Sequence, residues 1–182
     1  GINRVIVQTF DGPDGTGNLL EETYIDVWRD DTLQPPREIS GLISTDTVLD
    51  SAGPWVVTGD ITVADGATLT IEPGTTVTFN SGTKLTVNGR LLAEGTETER
   101  ITLTRSGSIG AWDGIVFDYS SYSDQVNRIT YTDLSYSDGG SEAILTYDAQ
   151  IQLDNVEFTN HSKQYLDLYD SSLIVTNSTF PD

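Results

Sequence analysis

The chain has 182 residues, enough for one domain with a continuous core, and carries 9 Lys plus Arg against 28 Asp plus Glu, a net charge of −19. That excess of acid repels nucleic-acid phosphates and anionic membrane surfaces, so the expected partners are neutral, cationic or bridged by a cation. There is no Cys and no Met, which excludes disulfides, thiolate chemistry and Cys metal sites, and with one His, His161, no His-rich metal site or His-relay triad is expected.

Residues 1–40 are expected to form a cap or linker. DGPDGTGN, Asp11 to Asn18, has the composition of a Ca²⁺ loop but lacks the EF-hand spacing and its terminal Glu. Asp11 and Asp14 are the candidate metal ligands and calcium the candidate cofactor. Leu19, Leu20, Tyr24, Val27 and Trp28 recur at near-helical spacing until Gln34-Pro35-Pro36-Arg37 interrupts them. A segment of this kind would cover the open end of the first coil of a downstream repeat, since exposed sheet edges invite aggregation.

From Ile61 the chain alternates short strands with turns. ITV (61–63), LTI (69–71), VTF (77–79), LTV (85–87), RLLAEG (90–95) and ITLT (101–104) place an apolar residue at every second position, which buries one face and wets the other. The breaks ADGA, EPGT, NSGT and NGR hold Gly and Asn, which accept positive φ, and Pro73, which sets a turn. If the chain turns the same way at every corner, each strand pairs one full coil later. Ile61 and Val63 then stack on Leu85 and Val87, and Val77 and Phe79 on Ile101 and Leu103, each a step of about 24 residues.

Residues 118–128 lack alternation and are expected to bulge as a loop from a corner. Beyond them three segments share a 22-residue ruler: Ile129 to Tyr136, Ile151 to Phe158 and Leu173 to Phe180. Each copy has apolar residues at its first and third places, an acid or amide at its fifth (Asp133, Asn155, Asn177) and an aromatic at its eighth. Ile144, Thr146 and Asp148 recur with the same spacing as Leu166, Leu168 and Asp170. A period of this length belongs to a solenoid of stacked β-coils. The fifth-place column is expected to cap backbone groups between coils. The chain then stops at Pro181-Asp182 with no capping element, as expected of a segment of a longer protein or of one closed by a neighbour.

Gly53 to Thr104, with W-V-V-x-G-x-I-x-V, L-x-I-x-P-G-T-x-V-x-F and L-x-V-x-G-x-L-x-A-x-G-T, resembles the opening of right-handed parallel β-helix segments in large secreted or surface bacterial proteins of the pectate-lyase-like fold superfamily. Trp112 to Phe117 and Asn177 to Phe180 extend the resemblance over about residues 40–180. It implies an all-β fold: a right-handed parallel β-helix of about five to six coils over 41–182, preceded by the segment 1–40. It also implies a modular parent protein with neighbouring domains and a secreted or cell-surface location, in keeping with the acidic, Gly- and Thr-rich, Lys-poor composition. The matching residues are corner glycines and core apolars, so no catalytic position carries over.

On such a solenoid, inward Leu166 and Leu168 turn Asp167 and Tyr169 outward, with Tyr147 one coil before Tyr169. With Tyr119 and Tyr122 on the adjacent loop and Tyr165 at a corner, they are the candidate ligand-binding residues. Sugars bind such strips because their C–H faces pack on aromatic rings while their hydroxyls bond to acids and amides. The expected function is a non-catalytic extracellular module that binds polysaccharide through this aromatic and acidic face. The alternatives are a spacer or protein-interaction segment, and a Ca²⁺-dependent polysaccharide lyase or glycoside hydrolase built around Arg105, Arg128 or Lys163. The outward threonines align too sparsely for an ice-binding face, the column above Thr130 continuing as Gln152 and Ile174.

Overall fold

The computed structural model describes residues 2–13, 17–28, 35–118, 126–140 and 142–181. The chain divides into two compact units, residues 1–33 and 34–182. The first holds an antiparallel hairpin of β1 (Ile2–Phe10) and β2 (Leu19–Trp28), with Ile6 opposite Tyr24 and Phe10 opposite Leu19. The near-helical spacing of Leu19 to Trp28 is thus a strand. Tyr, Ile, Val and Trp favour a pleated surface, and the pairing with β1 outweighs a local 3.6-residue pattern.

The second unit is a parallel β-helix with three faces. Face A stacks residues 37–39 of β3 (Arg37–Ile43), 55–57 of β5 (Trp55–Val63), β7 (Thr76–Phe79), β10 (Ile101–Arg105), β13 (Thr132–Ser135) and β16 (Glu157–Thr159). Face B stacks residues 41–43 of β3, 61–63 of β5, β8 (Leu85–Val87), β11 (Ile115–Asp118), β14 (Glu142–Tyr147) and β17 (Gln164–Tyr169). Face C stacks β4 (Thr47–Leu49), β6 (Thr68–Ile71), β9 (Arg90–Glu94), β12 (Asn127–Thr130), β15 (Gln150–Asp154) and β18 (Ser172–Thr176). The chain passes A, B, C in turn through six coils, and every pairing joins one coil to the next. β3 and β5 run through their corners without a break, which merges faces A and B into one ten-stranded sheet.

Alternation fills the interior with columns. Trp55, Val77, Leu103, Leu134 and Phe158 stack on face A, Ile61, Leu85, Ile115, Ile144 and Leu166 on face B, and Ile71, Ala93, Ile129, Leu153 and Val175 on face C. Each fully buried large side chain stabilises by roughly 1.5–3 kcal/mol. Trp112 is wholly buried, stacks on Phe79 with ring centroids 3.9 Å apart, and donates its indole N–H to the Ser135 carbonyl at 2.9 Å. One polar residue, Asn127, is fully buried on face C between these coils. Its Oδ1 accepts from the Leu91 N–H at 2.8 Å and its Nδ2 donates to the Gln150 carbonyl at 3.3 Å, so it joins the coils on either side just after residues 119–125.

The register departs from the even ruler in two places. Ile61 and Val63 do stack on Leu85 and Val87, but Val77 faces Leu103 and Phe79 faces Arg105, a step of 26, because the corner after β9 is longer and closes through paired Thr96 and Glu99 backbone bonds. Thr78 therefore faces Thr104 rather than Thr102. Further on, Ile129 faces Leu153, not Ile151, and Thr130 leads to Asp154 and Thr176 rather than to Gln152 and Ile174. Tyr131, placed by the ruler among the inward residues, is a left-handed corner at φ 43°, equivalent to Asn155 at 54° and Asn177 at 50°. The corner ladder is thus Tyr131, Asn155 and Asn177. Asp133 lies on face A opposite Glu157, where its carboxylate pairs with Arg100 at 2.6 Å.

Candidate functional site

The exposed aromatic feature of the solenoid lies on face B. β14 turns Ile144 and Thr146 inward, so Leu145 and Tyr147 look out. β17 continues that register, with Asp167 opposite Leu145 and Tyr169 opposite Tyr147. The two tyrosine rings stack at 5.0 Å between centroids and 17° between planes. They are 38% and 49% exposed. The Tyr169 hydroxyl donates to Asp167 Oδ2 at 3.1 Å. That bond, the Asp167 charge and the further acidic groups nearby hold the Tyr169 phenol above its ordinary pKa. One coil before Tyr147, Asp118 stands directly opposite it and extends the strip.

The pairing of Tyr147 with Tyr169 and the outward turn of Asp167 agree with the 22-residue spacing. Tyr165 belongs elsewhere. Its ring packs on Phe158 at 5.7 Å, His161 at 5.2 Å and Phe180 at 5.6 Å, and its hydroxyl donates to the Pro181 carbonyl at 2.6 Å, so it closes an aromatic cluster at the corner between faces A and B. Tyr119 and Tyr122 lie outside the described residues. Asp118 carries no signal in the sequence, because it is 29 residues from Tyr147 and the long connection through residues 119–125 hides that register.

The candidate calcium ligands divide in the same way. Asp14 lies outside the described residues. Asp11 closes its loop: Oδ1 accepts from the Asn18 backbone N–H at 2.7 Å and Oδ2 from the Asn18 side-chain amide at 3.0 Å, which holds its pKa below the usual carboxylate value. Both oxygens are thus engaged within the turn. Among the described residues no group of three or more His, Asp or Glu side chains is placed to hold a metal ion.

The basic residues a lyase would require are occupied by local contacts. Arg105 lies 3.8 Å over the Tyr136 ring and donates to the Gly110 carbonyl at 3.1 Å. Arg128 pairs with Glu94 at 3.4 Å, and the Lys163 ammonium donates to the Gly140 carbonyl. Ser137, Asp138 and His161 do converge, with Ser137 Oγ 3.3 Å from His161 Nε2. Ser137, however, is fully buried, and the Asp138 carboxylate accepts from the Ser162 N–H at 3.0 Å and hydroxyl at 2.6 Å instead of orienting the imidazole. Burial holds His161 below the ordinary imidazole pKa, against the opposing charge of Asp138. The trio acts as a corner brace. No helix among the described residues is long and apolar enough to cross a membrane.

A family model for a pectate-lyase-like β-helix domain matches residues 41–165. No curated protein and no solved structure matches the chain. The matched region runs from the first coil to the start of the sixth strand of face B and spans more than half of the sequence. The chain belongs to the pectate-lyase-like β-helix domains.

Proposed function

We propose that this chain is a non-catalytic glycan-binding module, displayed outside the cell or at its surface within a larger modular protein. The observation that carries the proposal is the stacked, half-exposed pair Tyr147 and Tyr169, held on adjacent coils of a rigid sheet with carboxylate acceptors beside it. A sugar ring packs its C–H face on the uncovered parts of the tyrosines while its hydroxyls bond to Asp167 and Asp118. Because the strands fix both rings before binding, little side-chain entropy is lost when a ligand docks. The secreted, modular setting rests on the resemblance of the coil motifs and on the acidic, Lys-poor composition.

The test is binding of the purified chain to a panel of soluble and insoluble polysaccharides, with and without Ca²⁺, beside a Tyr147→Ala/Tyr169→Ala variant. Removing two platform rings is expected to cost about 1–3 kcal/mol, roughly 5- to 150-fold in Kd, with a cooperative melt kept and its stability lowered by only about 0.5–1.5 kcal/mol for the lost ring pair, because both rings lie outside the core. Absence of binding to every glycan would refute the proposal and leave the solenoid as a spacer or protein-docking segment.

A further inference from the structure

The charge pattern around the tyrosine pair narrows what it can accept, an inference that rests on the glycan-binding proposal above. On the four strands β8, β11, β14 and β17 every charged residue is an acid: Asp118, Glu142 and Asp167. The corner residues that directly follow the two tyrosines are also acids, Asp148 and Asp170, both in left-handed conformation at φ 45° and 49°. The lysine that precedes β17, Lys163, donates to the Gly140 carbonyl. Asp167 uses Oδ2 for the Tyr169 hydroxyl and leaves Oδ1 for a ligand. We infer that the Tyr147/Tyr169 platform selects sugars bearing ammonium groups, as in a deacetylated amino-sugar polymer, and rejects polyuronates.

Two physical terms favour the cation. An ammonium near a carboxylate gains about 1 kcal/mol even at the dielectric constant of water, and a uronate carboxylate in the same place loses as much. The quadrupole of a tyrosine ring adds about 0.5–1 kcal/mol for a cation at an exposed site. A neutral sugar obtains only the packing and hydrogen bonds. Stacked rungs repeat these terms along the strip, so a polymer with a charge on successive rings meets Asp118, Tyr147, Tyr169 and Asp167 together.

The experiment compares three soluble probes, polyglucosamine, its N-acetylated counterpart and polygalacturonate, at about pH 5.5, above the ordinary carboxylate range. Four forms of the full chain are used: wild type, Tyr147→Ala/Tyr169→Ala, Asp118→Asn/Asp167→Asn, and Glu72→Gln/Glu97→Gln. The last pair removes two exposed charges at corners between faces C and A and changes net charge as much as the strip variant does. The expected result is polyglucosamine bound at least tenfold tighter than its N-acetylated form, with no binding of polygalacturonate. The tyrosine and strip-acid variants should each lose at least fivefold, the remote variant should match wild type, and binding should fall steeply at about 1 M salt, where the Debye length is about 3 Å. Equal, tyrosine-dependent binding of the neutral polymer would overturn the charge selection and leave the glycan-binding proposal standing. Equal losses in the two charge variants would overturn it as adventitious attraction to an acidic protein, and no binding of any of the three probes would overturn the charge selection, the glycan-binding proposal being decided by the wider polysaccharide panel above.

Discussion

A pair of engineered cysteines distinguishes the observed register from the even 22-residue ruler. Arg128 faces Gln152 across β12 and β15, so their Cα atoms lie about 4.8 Å apart, inside the reach of a disulfide. The even ruler would instead place Thr130 opposite Gln152. In the structure that pair is offset by two residues, about 6.6 Å along the strand and about 8 Å overall, beyond the limit of about 7 Å. Arg128→Cys/Gln152→Cys should therefore cross-link on mild oxidation, while Thr130→Cys/Gln152→Cys should keep free thiols. The chain has no native Cys, so thiol titration and non-reducing electrophoresis report the engineered pair alone. Losing the Arg128 bond to Glu94, at 3.4 Å and on the surface, costs at most about 1 kcal/mol. Closing a loop of about 25 residues gains up to about 3.5 kcal/mol, so the oxidised 128/152 variant should also resist denaturant better than its reduced form. Cross-linking of 130/152 in preference to 128/152 would refute the register.

Leu153 is wholly buried between Ile129 and Val175, whereas Val175 is 39% exposed, so Leu153→Ala should cost about 2–5 kcal/mol in urea unfolding and Val175→Ala less than about 1 kcal/mol; Leu153→Asp should not fold at all, and a wild-type melt for it would contradict the packing. Acid should weaken the protein in two windows. The folded-state pKa of His161 is depressed, so stability present above about pH 6.5 is lost as pH falls below that value; Asp50, lowered to about 2 chiefly by its bond to Arg37, gives stability present above about pH 3.8 that is lost towards pH 2. Denaturant midpoints of His161→Gln followed against pH should lack the upper window and keep the lower, and an unchanged upper window would exclude His161 as its source. Gly114 sits at φ 81°, and a Cβ there would lie 2.5 Å from the Ala143 carbonyl oxygen, so Gly114→Ala should destabilise by more than about 1 kcal/mol, whereas Gly82→Ala, with open space around it at φ 74°, should cost only about 1 kcal/mol for the backbone strain; equal midpoints for the two would refute the close approach of β14.

The coil-on-coil arrangement and the inside or outside placement of most residues are legible in the sequence because they depend only on alternation and on turn residues. Ile61 over Leu85 and Tyr147 beside Tyr169 follow directly. The departures share one physical cause. A slip of one residue turns every side chain to the other face, but a slip of two leaves each on its own side, so alternation is blind to it. That is why an even ruler stacks Phe79 on Leu103 and Ile129 on Ile151. Tyr131 misleads for a related reason: an aromatic at an alternating position looks inward, and nothing local announces its left-handed backbone. The strand over Leu19–Trp28 depends on partners nearly a full hairpin away. Asp118 is hidden by the connection through 119–125, whose length breaks the count from β11 to β14.

Because each strand of the solenoid bonds only to the coil before and the coil after, tension applied between its two ends would not load the whole core at once. Coils would peel from an end in sequence, each releasing a short ladder on three faces before the next is strained. Asn127 alters that order locally. Its amide grips Leu91 on one side and Gln150 on the other, a rivet that would let the third, fourth and fifth coils bear force as one block.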